Sequence, residues 1–135
     1  MFGNGVRKTA MALVGTALAT GLALAGSTGT AAASSGGGCG GPDWEQVCVS
    51  AGNGSVTATA NTNFGNGNCT EEVILWDYTT GGRALDTSFG CHTGPYSFSY
   101  TLSNPSPGHD YKAEVRLYWN GGSNYDYQLS PDLFY

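Results

Sequence analysis

The chain has 135 residues, of which 22 are Gly and only 11% are charged, with 5 basic residues against 10 acidic ones. That length allows one small domain and excludes a two-lobed enzyme with its own cofactor fold. The acidic balance excludes nucleic acid as a partner, because binding phosphate needs a basic stripe.

In chain order, the first element reads as an export signal. Arg7-Lys8 is a short positive stretch, Thr9 to Gly26 is an apolar run broken by Gly15 and Gly21, and Ala31-Ala32-Ala33 offers the small residues that signal peptidase accepts. Residues 1–33 are therefore expected to be a cleaved signal peptide, and the protein to be secreted, with no membrane attachment after cleavage. The apolar run is short and interrupted for a bilayer span of about 20 residues. Losing Arg7 and Lys8 leaves Arg83, Lys112 and Arg116 against ten acidic residues, a net charge of −7. That charge disfavours anionic polymers and anionic lipid as partners.

All four cysteines, Cys39, Cys48, Cys69 and Cys91, follow this leader. An even number in a small exported domain reads as two disulfides. Of the three pairings, Cys39–Cys48 with Cys69–Cys91 is preferred, since each then brackets one local excursion. A zinc site is the rival, but there is no Cys-x-x-Cys pair and neither His92 nor His109 has ligand spacing, so no metal or cofactor is expected.

Residues 34–45 begin with Ser-Ser-Gly-Gly-Gly-Cys-Gly-Gly and read as a flexible lead-in. Residues 46–135 read as strands throughout. Apolar and polar residues alternate over Val56–Ala60, Tyr96–Leu102, Tyr111–Trp119 and Tyr125–Leu129, the period of a half-buried strand. Glu72–Tyr78 is apolar on both faces at first and reads as a central strand, with weaker strands at Val47–Ala51 and Arg83–Thr87. Between them lie turn residues: Gly52-Asn53-Gly54, Gly65-Asn66-Gly67-Asn68, Gly81-Gly82, Asn104-Pro105-Ser106-Pro107-Gly108 and Gly121-Gly122. About seven short strands predict an all-β sandwich, with a small closed barrel as the alternative.

The run Pro107-Gly108-His109-Asp110-Tyr111-Lys112-Ala113-Glu114-Val115 resembles the turn and tyrosine that enter the sixth strand of fibronectin type III and related immunoglobulin-like domains. The resemblance implies that Tyr111 is a tyrosine-corner residue and Trp76 the central core tryptophan. In its leader, Gly-rich start, cysteines and β pattern the chain also resembles the small adaptor subunits of actinobacterial umbrella toxin particles. That likeness implies a protein partner within a secreted toxin complex.

Residues able to carry chemistry are few. The two histidines, His92 beside a half-cystine and His109 in a Pro-Gly turn, read as solvated loop residues with no nucleophile elbow to serve. Glu71-Glu72 reads as a solvated pair at a strand entrance, since neighbours on a strand point to opposite faces and cannot share one substrate. No catalytic residue is assigned, and an enzyme is not expected.

Aromatic residues are the informative surplus. The candidate binding surface is Tyr118, Trp119, Asn120 and Tyr125 at a hairpin tip rich in Asn and Gly, together with Gly37 and Gly38 in the lead-in. Within it Tyr118 reads as surface, while Trp119, like Tyr127, more readily completes a core poor in Leu and Ile. A non-catalytic, secreted protein-binding module, an adaptor or accessory subunit, fits best, with the Gly-rich segment on offer for strand addition. A hydrolase inhibitor presenting Phe89–Pro95 and a carbohydrate-binding protein are the alternatives. The chain lacks the Trp-Arg-Tyr triplet typical of amylase inhibitors.

Overall fold

A computed structural model describes residues 34–135. The leader assigned to residues 1–33 lies outside them. Among the described residues every regular element is a strand: β1 (Ser35–Gly36), β2 (Gly38–Gly40), β3 (Glu45–Gly52), β4 (Ser55–Phe64), β5 (Cys69–Asp77), β6 (Gly82–Gly90), β7 (Gly94–Ser103), β8 (Asp110–Trp119), β9 (Tyr125–Leu129) and β10 (Leu133–Phe134). Among the described residues no helix is long and apolar enough to cross a membrane.

The strands form two antiparallel sheets. One runs β6-β5-β8 and continues past β8 with β9 beside its C-terminal half, then β10 and β1 beside its start; the other runs β2-β3-β4-β7. Alternation makes this a sandwich. Val47, Val49, Val56, Ala58 and Ala60 point inward from the second sheet and meet Val73, Leu75, Tyr111, Ala113 and Val115 from the first. All are essentially inaccessible to solvent. Alanines at 58, 60 and 113 keep the two sheets close without large side chains, so the core is thin.

Local chemistry sets the corners. Asn53 and Gly54 both have positive φ (51° and 73°), the two-residue turn whose twist matches its flanking strands, and it fixes β3 and β4 in register from Gly52↔Ser55 to Glu45↔Thr62. Tyr111 is 1% exposed, and the Ser106 backbone N–H donates to its hydroxyl at 3.0 Å. This ties the Pro-rich turn before β8 to the core.

Both disulfides pair as predicted, and each joins neighbours within one sheet. Cys39 and Cys48 are directly opposed in β2 and β3, with Cα atoms 3.9 Å apart; Cys69 at the start of β5 binds Cys91 just past β6 at 5.3 Å.

Three expectations change. The lead-in is not a loose tail: β1 pairs with β10, β2 pairs with β3, and the kink at Gly37 carries the chain from one sheet to the other. Glycine is required there by space, since a Cβ on Gly37 would lie 2.8 Å from the Val49 carbonyl oxygen and one on Gly40 2.0 Å from that of Leu129. These strands, like β10, are too short to show a period. Trp76 is not a core residue; it shares the outward parity of Glu72 and Ile74, while Val73 and Leu75 take the inward one. Tyr127 is 55% exposed rather than buried, because β9 flanks only the outer half of β8 and turns its tyrosines outward.

Candidate functional site

The outer face of the β6-β5-β8-β9 sheet collects most of the chain's chemistry. Register sets side chains in rows across it: Tyr118 beside Tyr125, Glu72 beside Arg116 and Tyr127, Ile74 beside Glu114 and Leu129, and Trp76 between Arg83 and Lys112. All three basic residues of the described chain therefore stand on this one face.

Each cation is held by acids and by rings. Arg116 donates from Nε to Glu114 Oε1 (2.6 Å) and lies 3.7 Å from Glu72 Oε2; Arg83 donates to Glu72 Oε1 (2.8 Å) and pairs with Asp86; Lys112 Nζ meets Asp132 at 2.7 Å. Arg83 lies over Trp76 at 5.2 Å from the ring centre, Lys112 over Tyr78 at 5.2 Å, and Arg116 over Tyr125 at 4.6 Å. Trp76 Nε1 donates to Glu114 Oε2, and Tyr118 Oη donates to Glu72 Oε2 at 2.9 Å.

The protonation states are fixed accordingly. The hydrogen bond to Glu114 raises the Arg116 pKa, that to Asp86 raises Arg83, and that to Asp132 raises Lys112. Burial, then the bond to Glu72, pushes the Tyr118 phenol up. The three cations therefore stay charged, and the Tyr118 phenol neutral, across neutral pH.

Beside this network lies a groove of about 380 Å³, walled by Trp76, Tyr78 and Tyr127 and floored by Glu114, Arg116 and Leu129. Tyr78, Tyr125 and Tyr127 are 50%, 42% and 55% exposed. Because the polar groups are already paired, the exposed rings are what the groove offers: rigid, amphipathic surface presented from strands.

Of the predicted surface, the structure brings Tyr118 and Tyr125 together on this face, 5.1 Å between ring centres. Trp119 has the opposite parity and packs edge-on against Phe64 at 5.8 Å, within a small cluster with Cys69 and Leu117; its Nε1 reaches Asp126 at 3.3 Å. Asn120 is a turn residue at φ 54°, and its Oδ1 accepts a bond from Asn68 Nδ2 at 2.6 Å. Gly37 and Gly38 belong to the β1–β2 kink, away from the aromatic face, and the Gly37 N–H is bonded to the Asp132 carbonyl at 2.7 Å. Trp76, Tyr78 and Tyr127, the walls of the groove, went unpredicted; the shared parity of Glu72, Trp76 and Tyr78 was the signal for two of them.

The remaining chemistry is internal. Glu71, expected to be solvated, is fully buried: β5 starts at Cys69, so Glu71 takes an inward position, between Phe89 and Leu117 in the sheet. Glu45 is equally inaccessible, at the same end of the core as Thr62. Burial, then the Glu45 charge, pushes the Glu71 carboxyl up to about 7; the Thr62 hydroxyl acts the other way, though it completes no hydrogen bond with it. Burial also raises Glu45, against a hydrogen bond from Gln128 Nε2 at 3.2 Å and with help from Asp126. His109, expected in solvent, is half-buried, with Nδ1 2.8 Å from Asp77 Oδ2. Burial works to raise Asp77, but bonds from His109 and Thr80 outweigh it and hold this carboxyl low. Among the described residues no three His, Cys, Asp or Glu side chains converge to hold a metal ion.

Compared with known protein families, curated proteins and solved structures, the chain matches none.

Proposed function

We propose that the chain is a non-catalytic, exported protein-binding module, an adaptor or accessory subunit of an extracellular complex, and that it binds through the outer face of β6-β5-β8-β9. The observation that carries this reading is the set of exposed rings: Tyr78 and Tyr127 on a groove anchored by Trp76 and Arg116, with Tyr125 next to Tyr127. Trp, Tyr and Arg are the residues that dominate binding energy at protein interfaces. Here their rotamers are braced by ion pairs and ring contacts, which lowers the entropy lost on binding. Two disulfides support an oxidising, extracellular setting. The order β3-β4-β7 against β6-β5-β8-β9, with the Tyr111 hydroxyl tied to Ser106, supports the immunoglobulin-like resemblance. The Gly-rich start is already paired within both sheets, so the proposed contact moves from that segment to the aromatic face.

Affinity capture from the culture supernatant tests the reading with the purified protein and a Tyr125→Ala/Tyr127→Ala variant. A co-secreted protein held by the wild type and lost from the variant, at least about tenfold in affinity, is the expected result. A partner that both forms retain removes this face from the proposal. The same groove sets aromatic walls beside Glu114 and Asp77, which also suits a sugar ring. Glycan binding that disappears with Tyr127→Ala, with no protein captured, replaces the protein ligand with a carbohydrate.

A further inference from the structure

The second sheet ends in a strand that no other strand closes. β7 pairs with β4 in unbroken register from Ser55↔Ser103 to Phe64↔Gly94, and among the described residues no strand pairs with its other side. Edges of this length are ordinarily blunted by charge, a bulge or an internal proline. β7 carries no charge and no bulge, and its one proline, Pro95, sits at its beginning. Its inward residues Tyr96, Phe98, Tyr100 and Leu102 stay half-buried at this flank. Phe89 of β6 joins them, 4.8 Å from Phe98 and 6.0 Å from Tyr96 between ring centres. The flank thus offers unpaired backbone and apolar surface together.

We propose that β7 is the contact strand of a symmetric dimer, pairing antiparallel with β7 of a second copy of this chain. Charge selects that occupant. Residues 34–135 hold three basic against ten acidic groups, so two copies repel across most orientations. Strands β2, β3, β4 and β7 contain a single charged residue, Glu45, which points inward. Approach through β7 therefore sets no like charges against each other. Self-pairing also matches the central positions, 96 to 102. With Ser99 on the two-fold axis, each Ser97 faces Thr101 of the other copy, each Phe98 faces Tyr100 and each Tyr96 faces Leu102. Hydroxyls meet hydroxyls outside, and apolar rings meet apolar side chains inside. The hydroxyl bonds already crossing from β4 to β7, Thr57–Thr101 and Thr59–Ser99 at 2.9 Å, lie on that same outer face.

Size sets the strength. A ten-residue strand spans about 33 Å, and a flank about 15 Å wide gives on the order of 1,000 Å² buried in total. This is the low end for a specific interface, so the dimer belongs in the micromolar range.

Sedimentation velocity on the purified, oxidised protein from about 1 to about 500 µM tests the proposal. The expected result is a reversible dimer that tightens as salt screens the net charge, with amide protection over Tyr96–Thr101 rising with concentration. Ser99→Lys places two ammonium groups together at the axis and raises the dissociation constant at least about tenfold. Thr101→Lys does the same independently, while Ser50→Lys, on the same face but two strands away, leaves the dimer unchanged. A monomer throughout, a dimer that both edge variants leave intact, or concentration-independent exchange at β7 overturns the proposal. A monomer that instead accepts a different extended polypeptide at β7 overturns it too, in favour of that partner.

Discussion

The two sheets share a core and little else. On one, ten of the strand residues are charged and aromatic rings are interleaved with three cations; on the other, the outward positions are Ser, Thr, Asn, Gln, Gly52, Pro95 and the two half-cystines of Cys39–Cys48, and the only charge is the inward Glu45. The charged sheet spends its polar groups on each other and shows rings to solvent. The neutral sheet lines up hydroxyls and shows an open edge. One small fold therefore carries two unlike surfaces, and nothing in the core needs to differ for it, because side chains alternate between faces independently of what packs inside.

Each sheet has its own disulfide, and removing them sharpens the contrast most. The sequence separations are 22 residues for Cys69–Cys91 and 9 for Cys39–Cys48. Loop-closure entropy then predicts losses of about 3.4 kcal/mol for the Cys69→Ala/Cys91→Ala variant and about 2.6 kcal/mol for Cys39→Ala/Cys48→Ala, read from urea unfolding midpoints. Equal losses would show that the length of the closed loop does not set the contribution of either bridge.

Next comes the carboxyl pair where the sheets meet. The folded Glu71 titrates near 7, above its ordinary 4.5. The folded protein binds the extra proton between those values, so the stability linked to it is complete below about pH 4.5 and is lost as pH rises through 7. The loss is on the order of 3 kcal/mol. Unfolding midpoints of wild type should fall over that window while those of Glu71→Gln stay flatter. A slope equally steep in Glu71→Gln would place its origin elsewhere.

The smallest effect separates the surfaces directly. A double-mutant cycle on Thr57 and Thr101 should give a coupling of about 0.5 kcal/mol that salt does not change. The Arg116–Glu114 cycle should give a larger coupling, about 1 kcal/mol or more, that weakens as salt is added. If both respond alike to salt, the neutral sheet is not electrostatically silent.

Much of this architecture was legible in the sequence. Val56–Ala60, Tyr96–Leu102 and Tyr111–Trp119 alternate too regularly to be anything but strands, and the cysteine spacing chose the observed bridges. What escaped was which side faced in. Glu71 looked like an entrance residue because the disulfide-anchored start of β5 at Cys69 has no periodic signal of its own. Trp76 was drawn inward by likeness to immunoglobulin-like domains although its parity with Glu72 pointed outward. Tyr127 looked like core because alternation alone does not say that β9 covers only part of its neighbour. The glycines at 36–38 have no side chains from which any pattern could be read.

The pairing of Ser35 with Phe134 has a mechanical consequence. A load applied across the two ends of the sandwich acts on adjacent strands and peels them apart one hydrogen bond at a time, the weak direction for a sheet. The peeling is short-lived. Past Gly38 the chain reaches Cys39, whose bond to Cys48 hands the force to β3 and its eight-residue ladder with β4. Under tension the molecule would yield by a few residues at its seam and then lock.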